Sequence, residues 1–111
     1  MTDQTIDAAT FKELQETAGA DFVAELVGTF LEEAPQMLAE LRAAQREGAA
    51  ERFRRAAHSL KSNATTFGAT ALATKARELE LGGLPDSTIG IDAIQEEYAR
   101  AASALKVVSH G

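Results

Sequence analysis

The sequence has no cysteine and no tryptophan, two prolines among its 111 residues, and aromatic side chains at only 5%. Without cysteine there is no disulfide, no thiolate metal site and no thiol nucleophile. Scarce proline and aromatics, set against abundant alanine, favour helices over strands. No stretch approaches the ~18 apolar residues of a membrane-spanning helix. Met1 to Thr10 carry no basic segment followed by an apolar run, so no secretory leader is expected. A cytoplasmic location is the expectation that follows. The formal net charge is −6, and an acidic chain repels phosphate backbones, so neither nucleic acid nor a membrane is an expected partner.

What is present is a normal globular share of apolar residues, 45%, distributed as one domain over residues 1–111. There is no internal repeat, low-complexity tract or linker. Five helical segments are expected, at about 7–18, 21–47, 49–67, 70–81 and 89–108. Asp7 can cap the first by accepting from free N–H groups; Phe11, Leu14 and Ala18 recur along it, and Gly19 suits its end. The second is the clearest. Phe22, Leu26 and Phe30 form one apolar row, and Val23, Val27, Leu31, Ala34, Leu38 and Leu41 form the next. Pro35 falls inside it, but the apolar phase continues across the proline, which favours one bent helix over two.

The third segment carries Phe53, Ala57, Leu60, Ala64 and Phe67 at core spacing, with Gly68 as a stop. The fourth has Leu72, Ala76 and Leu79 inward and Thr70 as a cap. The fifth repeats Ile91, Ile94, Tyr98, Ala101, Leu105 and Val108. Four longer amphipathic helices with short connections bury their stripes against each other. An all-α, antiparallel, up-down-up-down four-helix bundle with the short N-terminal helix over one end is the simplest solution.

His58 lies mid-way along the third segment. At about 100° per residue it sits about 140° from Phe53, away from the core row. Lys61 lies at +3 and Ser62 at +4, with Arg54 and Arg55 one turn back. One face therefore carries an imidazole, three cations and a small side chain. A neutral imidazole nitrogen is a nucleophile at neutral pH, and the cations offset charge that develops on a phosphoryl group under attack. By itself, a histidine among arginines is an ordinary solvated surface residue.

The stretch AHSLKSNATTFGATALATKARELE, residues 57–80, resembles the signature of histidine-containing phosphotransfer (HPt) domains. The family pattern is His, any residue, Leu, Lys, a small residue often Gly, then Gly ten positions after the His. Here these are His58, Leu60, Lys61, Ser62 and Gly68, with Ser62 departing from the commoner glycine. Residues 19–44 also resemble the long second helix of such domains, proline included. The resemblance implies a phosphocarrier in a two-component phosphorelay rather than an enzyme. His58 would take a phosphoryl group from a receiver's phospho-aspartate, or from a kinase, and pass it to another receiver. Lys61 would stabilise phosphoryl charge, Arg54, Arg55, Ser59 and Ser62 would meet the partner, and Gly68 would be structural. Mg²⁺ and the assisting acidic residues would come from the receiver, leaving this chain without a cofactor or metal of its own. Expected partners are receiver domains or a hybrid histidine kinase, with the chain itself a monomer.

Other candidates are weaker. There is no P-loop and no glycine-rich nucleotide site, so ATP is not an expected ligand. His110 falls in the expected frayed tail, Ser109–Gly111. The i±4 neighbours of His58 are Arg54 and Ser62, which excludes a metal site along its own helix. Glu32–Glu33 and Glu96–Glu97 are adjacent pairs read as lying on solvent faces, diverging too far to act as acid/base dyads. Two other readings use the same surfaces: a docking module that regulates a kinase or receiver without being phosphorylated, and a helical dimerisation unit. The Met1 start favours a free-standing protein over a domain of a larger kinase.

Overall fold

The computed structural model describes residues 5–110 and is all-helical over them. Five helices follow in order: α1 (Ala8–Ala18), α2 (Ala20–Glu47), α3 (Ala50–Thr66), α4 (Thr70–Gly82) and α5 (Ile89–His110). Helix α5 runs through His110, so the expected frayed tail is helical up to that residue, while Gly111 and the His110 side chain lie outside the described part. No helix among the described residues is long and apolar enough to cross a membrane.

Helix α2 has 28 residues, about 42 Å at 1.5 Å per residue, and spans the 41 Å long axis of the molecule. Packing runs α2 to α3, α3 to α4, α4 to α5, and back from α5 to α2, with α1 against α2. The four long helices thus close a ring around one core. Phe53, Phe67, Leu41, Leu60, Leu72, Ile91, Ile94, Leu105 and Val23 are its largest fully buried side chains. Phe30 packs against Phe67 at 5.5 Å between ring centroids and meets Tyr98 edge-on at 5.9 Å. Asp7 caps α1, its side chain accepting from the Ala9 N–H at 3.3 Å. Helix α4 is entered differently from the expectation. Its N-cap is Ala69, and the Thr70 hydroxyl donates back to the Gly68 carbonyl at 3.3 Å.

Pro35 lies within an uninterrupted α2. A proline has no N–H, so the carbonyl four residues earlier, that of Leu31, loses its helical donor. The Tyr98 hydroxyl from α5 donates to that carbonyl at 3.3 Å. The helix survives its proline because a neighbour supplies the missing donor.

Three residues depart from their expected places. Phe22 is 52% exposed. Its row advanced by four residues per step, and each such step drifts about 40° around the helix, so Phe22 lies about 80° from buried Phe30. Ala18, the last residue of α1, is also exposed. Glu97, in contrast, is only 6% exposed. It stands at +3 from Ile94 and −4 from Ala101, both fully buried, and its carboxylate accepts from Arg100 at 2.7 Å.

Candidate functional site

Helix α3 buries Phe53, Ala57, Leu60 and Ala64, with Phe67 at its C-cap. That stripe turns His58 outward, where its side chain is 55% exposed. Ser59 and Ser62 beside it are exposed as well.

The imidazole is not alone. Nδ1 of His58 lies 2.8 Å from Oε2 of Glu80, and Nζ of Lys61 lies 2.9 Å from Oε1 of the same carboxylate. Glu80 projects from the last turn of α4 and is only 11% exposed. A carboxylate so far removed from water needs partners for its charge: Oε2 is hydrogen-bonded to the imidazole, while Oε1 makes no hydrogen bond and is met by the Lys61 ammonium as an ion pair. The Lys61 ammonium first, and His58 second, hold the Glu80 carboxyl below its ordinary value of 4.5 against the opposing effect of burial. Glu80 is therefore ionised near neutral pH and can only accept. Nδ1 must be the protonated nitrogen, and in the neutral ring the lone pair resides on Nε2. One carboxylate thus fixes the tautomer and leaves a single nucleophilic nitrogen facing solvent.

The spacing along α3 does not reveal Glu80 as the partner of His58, because the contact crosses between helices. A usable signal existed in the hairpin. His58 lies ten residues before Gly68 and Glu80 twelve after it. Two helices folding back about that turn bring the last turn of α4 opposite the middle of α3.

The positive face is more balanced than the sequence implied. Arg54 is held by Glu51 through two hydrogen bonds of 2.8 and 2.9 Å. Arg52 bridges Glu40 and Glu47, which keeps it firmly protonated and ties α3 to α2. Lys61 is engaged by Glu80. Of the cations flanking His58 on α3, Arg55 alone forms no ion pair among the described residues. Arg55 and Ser59 line a cleft of about 400 Å³ between α2 and α3, with Met37 and Ala56 as its apolar part and Glu33 and Glu40 on the α2 side.

Gly68 sets the geometry behind the site. Its φ is +76°, and a Cβ there would lie 3.0 Å from the Asp7 carbonyl oxygen and 3.1 Å from Cβ of Thr10. Both conditions demand glycine. Its carbonyl accepts from the backbone N–H of Asp7 at 2.7 Å and of Thr70 at 2.9 Å. The same residue thus anchors the entry to α1 and shapes the α3–α4 turn that aligns Glu80 with His58. Among the described residues no group of three or more His, Asp or Glu is placed to hold a metal ion.

These features have parallels in known proteins. No curated protein matches the sequence. The crystal structure of histidine-containing phosphotransfer protein B (HptB) from Pseudomonas aeruginosa PAO1 superimposes with a TM-score of 0.89 at 27% sequence identity, covering 98% of this chain and 97% of that one. The family model for the Hpt domain matches residues 25–104, a span that holds α3, α4, His58, Lys61, Gly68 and Glu80. The chain belongs to the Hpt domain family.

Proposed function

We propose that His58 carries a phosphoryl group between receiver domains, or from a kinase to a receiver, through its Nε2 nitrogen. The observation that carries this reading is the Nδ1–Glu80 contact at 2.8 Å on a ring that is 55% exposed. In the forward step the Nε2 lone pair attacks the phosphorus of a receiver's phospho-aspartate. The N–P bond forms, the acyl-phosphate O–P bond breaks, and the aspartate leaves as a carboxylate. The Nδ1 proton stays in place throughout. The phosphorylated ring then bears positive charge next to the Glu80 carboxylate, which stabilises it. In the return step the ring departs as neutral imidazole, already carrying its proton. No acid or base has to be recruited from this chain in either direction.

Lys61 acts through Glu80 in the resting state and is near enough along α3 to offset phosphoryl charge when the group arrives. The antiparallel four-helix arrangement of α2 to α5, with α1 alongside, is the scaffold that keeps these three side chains on two rigid helices. Docking is assigned to the α2–α3 side. Arg55 is free there to meet acidic groups of a receiver, Ser59 and Ser62 keep the approach open, and Arg54 stands at the edge. Phe22 lies eleven residues, about three turns, before Glu33, so its exposed ring continues the same side of α2 and supplies an apolar contact of the kind that anchors interfaces. The chain works as a cytoplasmic, monomeric phosphocarrier with no nucleotide site or cofactor of its own, the Mg²⁺ being the receiver's. The test is transfer from a phosphorylated receiver: wild type acquires an acid-labile, base-stable phosphoramidate, and His58→Gln acquires none. Undiminished labelling of His58→Gln would sink the assignment.

A further inference from the structure

Lys61 belongs to two neighbourhoods. On one side its ammonium meets Glu80. On the other it lines a cleft of about 350 Å³ bounded by α3, α4 and the start of α1. Gly68 and Ala73 form the small-residue part of that cleft, Thr65 stands on α3, and Thr74 and Arg77 stand on α4.

The hydroxyls at its α1 end are already engaged, Thr10 donating to Asp7 at 2.6 Å and Thr70 to the Gly68 carbonyl at 3.3 Å. Thr65 and Thr74 make no side-chain hydrogen bond among the described residues, and Arg77 no ion pair. All three are donors, as is Lys61. Of the acidic groups, Asp7 lies at the far end beside Thr10, and Glu80 lies beyond Lys61. Two cations and two unengaged hydroxyls around one cleft complement a ligand with several acceptor oxygens and negative charge. A guanidinium pairs with such a group in two parallel hydrogen bonds. The net charge of −6 gives the chain no general attraction for anions, so occupancy here depends on this local set.

We propose that the Lys61–Thr65–Thr74–Arg77 cleft binds a phosphate-type tetrahedral oxyanion, and that the bound anion competes with Glu80 for Lys61. Because the ammonium is shared, occupancy of the cleft and the Lys61–Glu80 pair are coupled, each weakening the other, and the His58 ring on the other oxygen of Glu80 registers the change. The site is separate from the phosphoryl acceptor, and its binding is read without any phosphotransfer partner.

The test is a titration of the whole chain with inorganic phosphate, followed by NMR, against sodium chloride at matched ionic strength. Phosphate should give saturable shifts centred on Thr65, Thr74 and Arg77 that chloride does not reproduce. The His58 ring nitrogen signals should move with the same midpoint. Arg77→Gln should weaken binding about tenfold, the worth of one charge-assisted hydrogen bond, and Thr74→Val should weaken it less. Both positions are exposed, so both variants should fold. Transfer to His58 in phosphate-free buffer should be unchanged in Arg77→Gln. A parallel titration with O-phosphoserine separates the sources: tighter binding assigns a phosphate monoester, weaker binding assigns free phosphate. Linear shifts equal to those with chloride, or binding unaltered by both substitutions, would overturn the site. Saturation that leaves the His58 ring unmoved would overturn the competition.

Discussion

Two opposite seams of the helical core carry polar groups, and they differ in one respect. Between α2 and α5, each main polar group ends on a partner. The Tyr98 hydroxyl donates to the Leu31 carbonyl that Pro35 leaves without a helical donor. Arg42 donates to Asp92 at 2.8 Å and to Gln95 at 2.6 Å. Between α3 and α4, Glu80 is paired with the Lys61 ammonium and hydrogen-bonded to His58, but the imidazole it grips keeps one nitrogen without a protein partner among the described residues. A closed network joins helices. A network that leaves one ring nitrogen open joins helices and presents that atom, in a fixed tautomer, to whatever docks.

The largest expected effect comes from removing the open atom. His58→Gln should abolish phosphoryl acceptance while leaving the fold intact, because the side chain is 55% exposed and outside the core. Loss of label with an unchanged circular dichroism melt would confirm that the open seam is chemical rather than structural. Next comes the clamp. Glu80→Gln retains size and a possible acceptor but loses the charge that fixes Nδ1–H and stabilises the phosphorylated ring. Transfer should slow roughly tenfold or more, the range seen when carboxylates that orient metal-binding histidines are removed. The imidazole ¹⁵N spectrum should show the tautomers redistributed, a signature that a purely structural role for Glu80 would not produce. Wild-type rates and tautomers in this variant would reduce Glu80 to a packing residue.

Much of this architecture was legible beforehand, and the failures have physical reasons. Helices emerge close to their expected places because the apolar phase of α2 through Val23, Val27, Ala34, Leu38 and Leu41 is a direct consequence of burial on one side. Phase also placed His58 outside. What phase along a single helix does not encode is which residue of another helix lies opposite. Glu80 is therefore not legible from α3 alone, and reading Glu97 as solvent-facing ignores its spacing from Ile94 and Ala101, which marks it as facing inward. The same blindness overstated the positive charge around His58, since the Glu80 carboxylate reaches Lys61 from beyond α3. A structural role for Gly68 is legible in the sequence, but its two constraints, the positive φ and the pressing Asp7 carbonyl, arise from the fold.

The clamp also predicts a pH dependence. The Glu80 carboxyl is held below its ordinary 4.5 in the folded chain. A depressed carboxyl stabilises the fold above its unfolded value, and that contribution is lost as pH falls through the folded value. The difference in urea midpoint between wild type and Glu80→Gln should therefore be constant at neutral pH and shrink on acidification below about 4.5. Glu40 and Glu51 are held down by Arg52 and Arg54 respectively, so wild type retains further acid sensitivity that Glu80→Gln does not remove. A difference that stays flat to low pH would mean that Glu80 is not charged in the folded state.

The smallest effect tests the closed seam itself. Tyr98→Phe keeps the ring and its edge-on contact with Phe30 but deletes the donor to Leu31. The carbonyl then lies in a proline-containing helix with neither a backbone nor a side-chain donor. Net loss of one such bond costs about 1 kcal/mol. Because the bond is only partly buried, water can take over some of the role and hold the cost near that figure. Phosphoryl transfer should be unchanged, since Tyr98 lies on the seam opposite His58. A stability loss of this size with an unaltered transfer rate would separate the two seams. A transfer rate that fell with stability would mean that the α2–α5 seam also sets the α3–α4 register, and that the distinction between joining and presenting is one of degree.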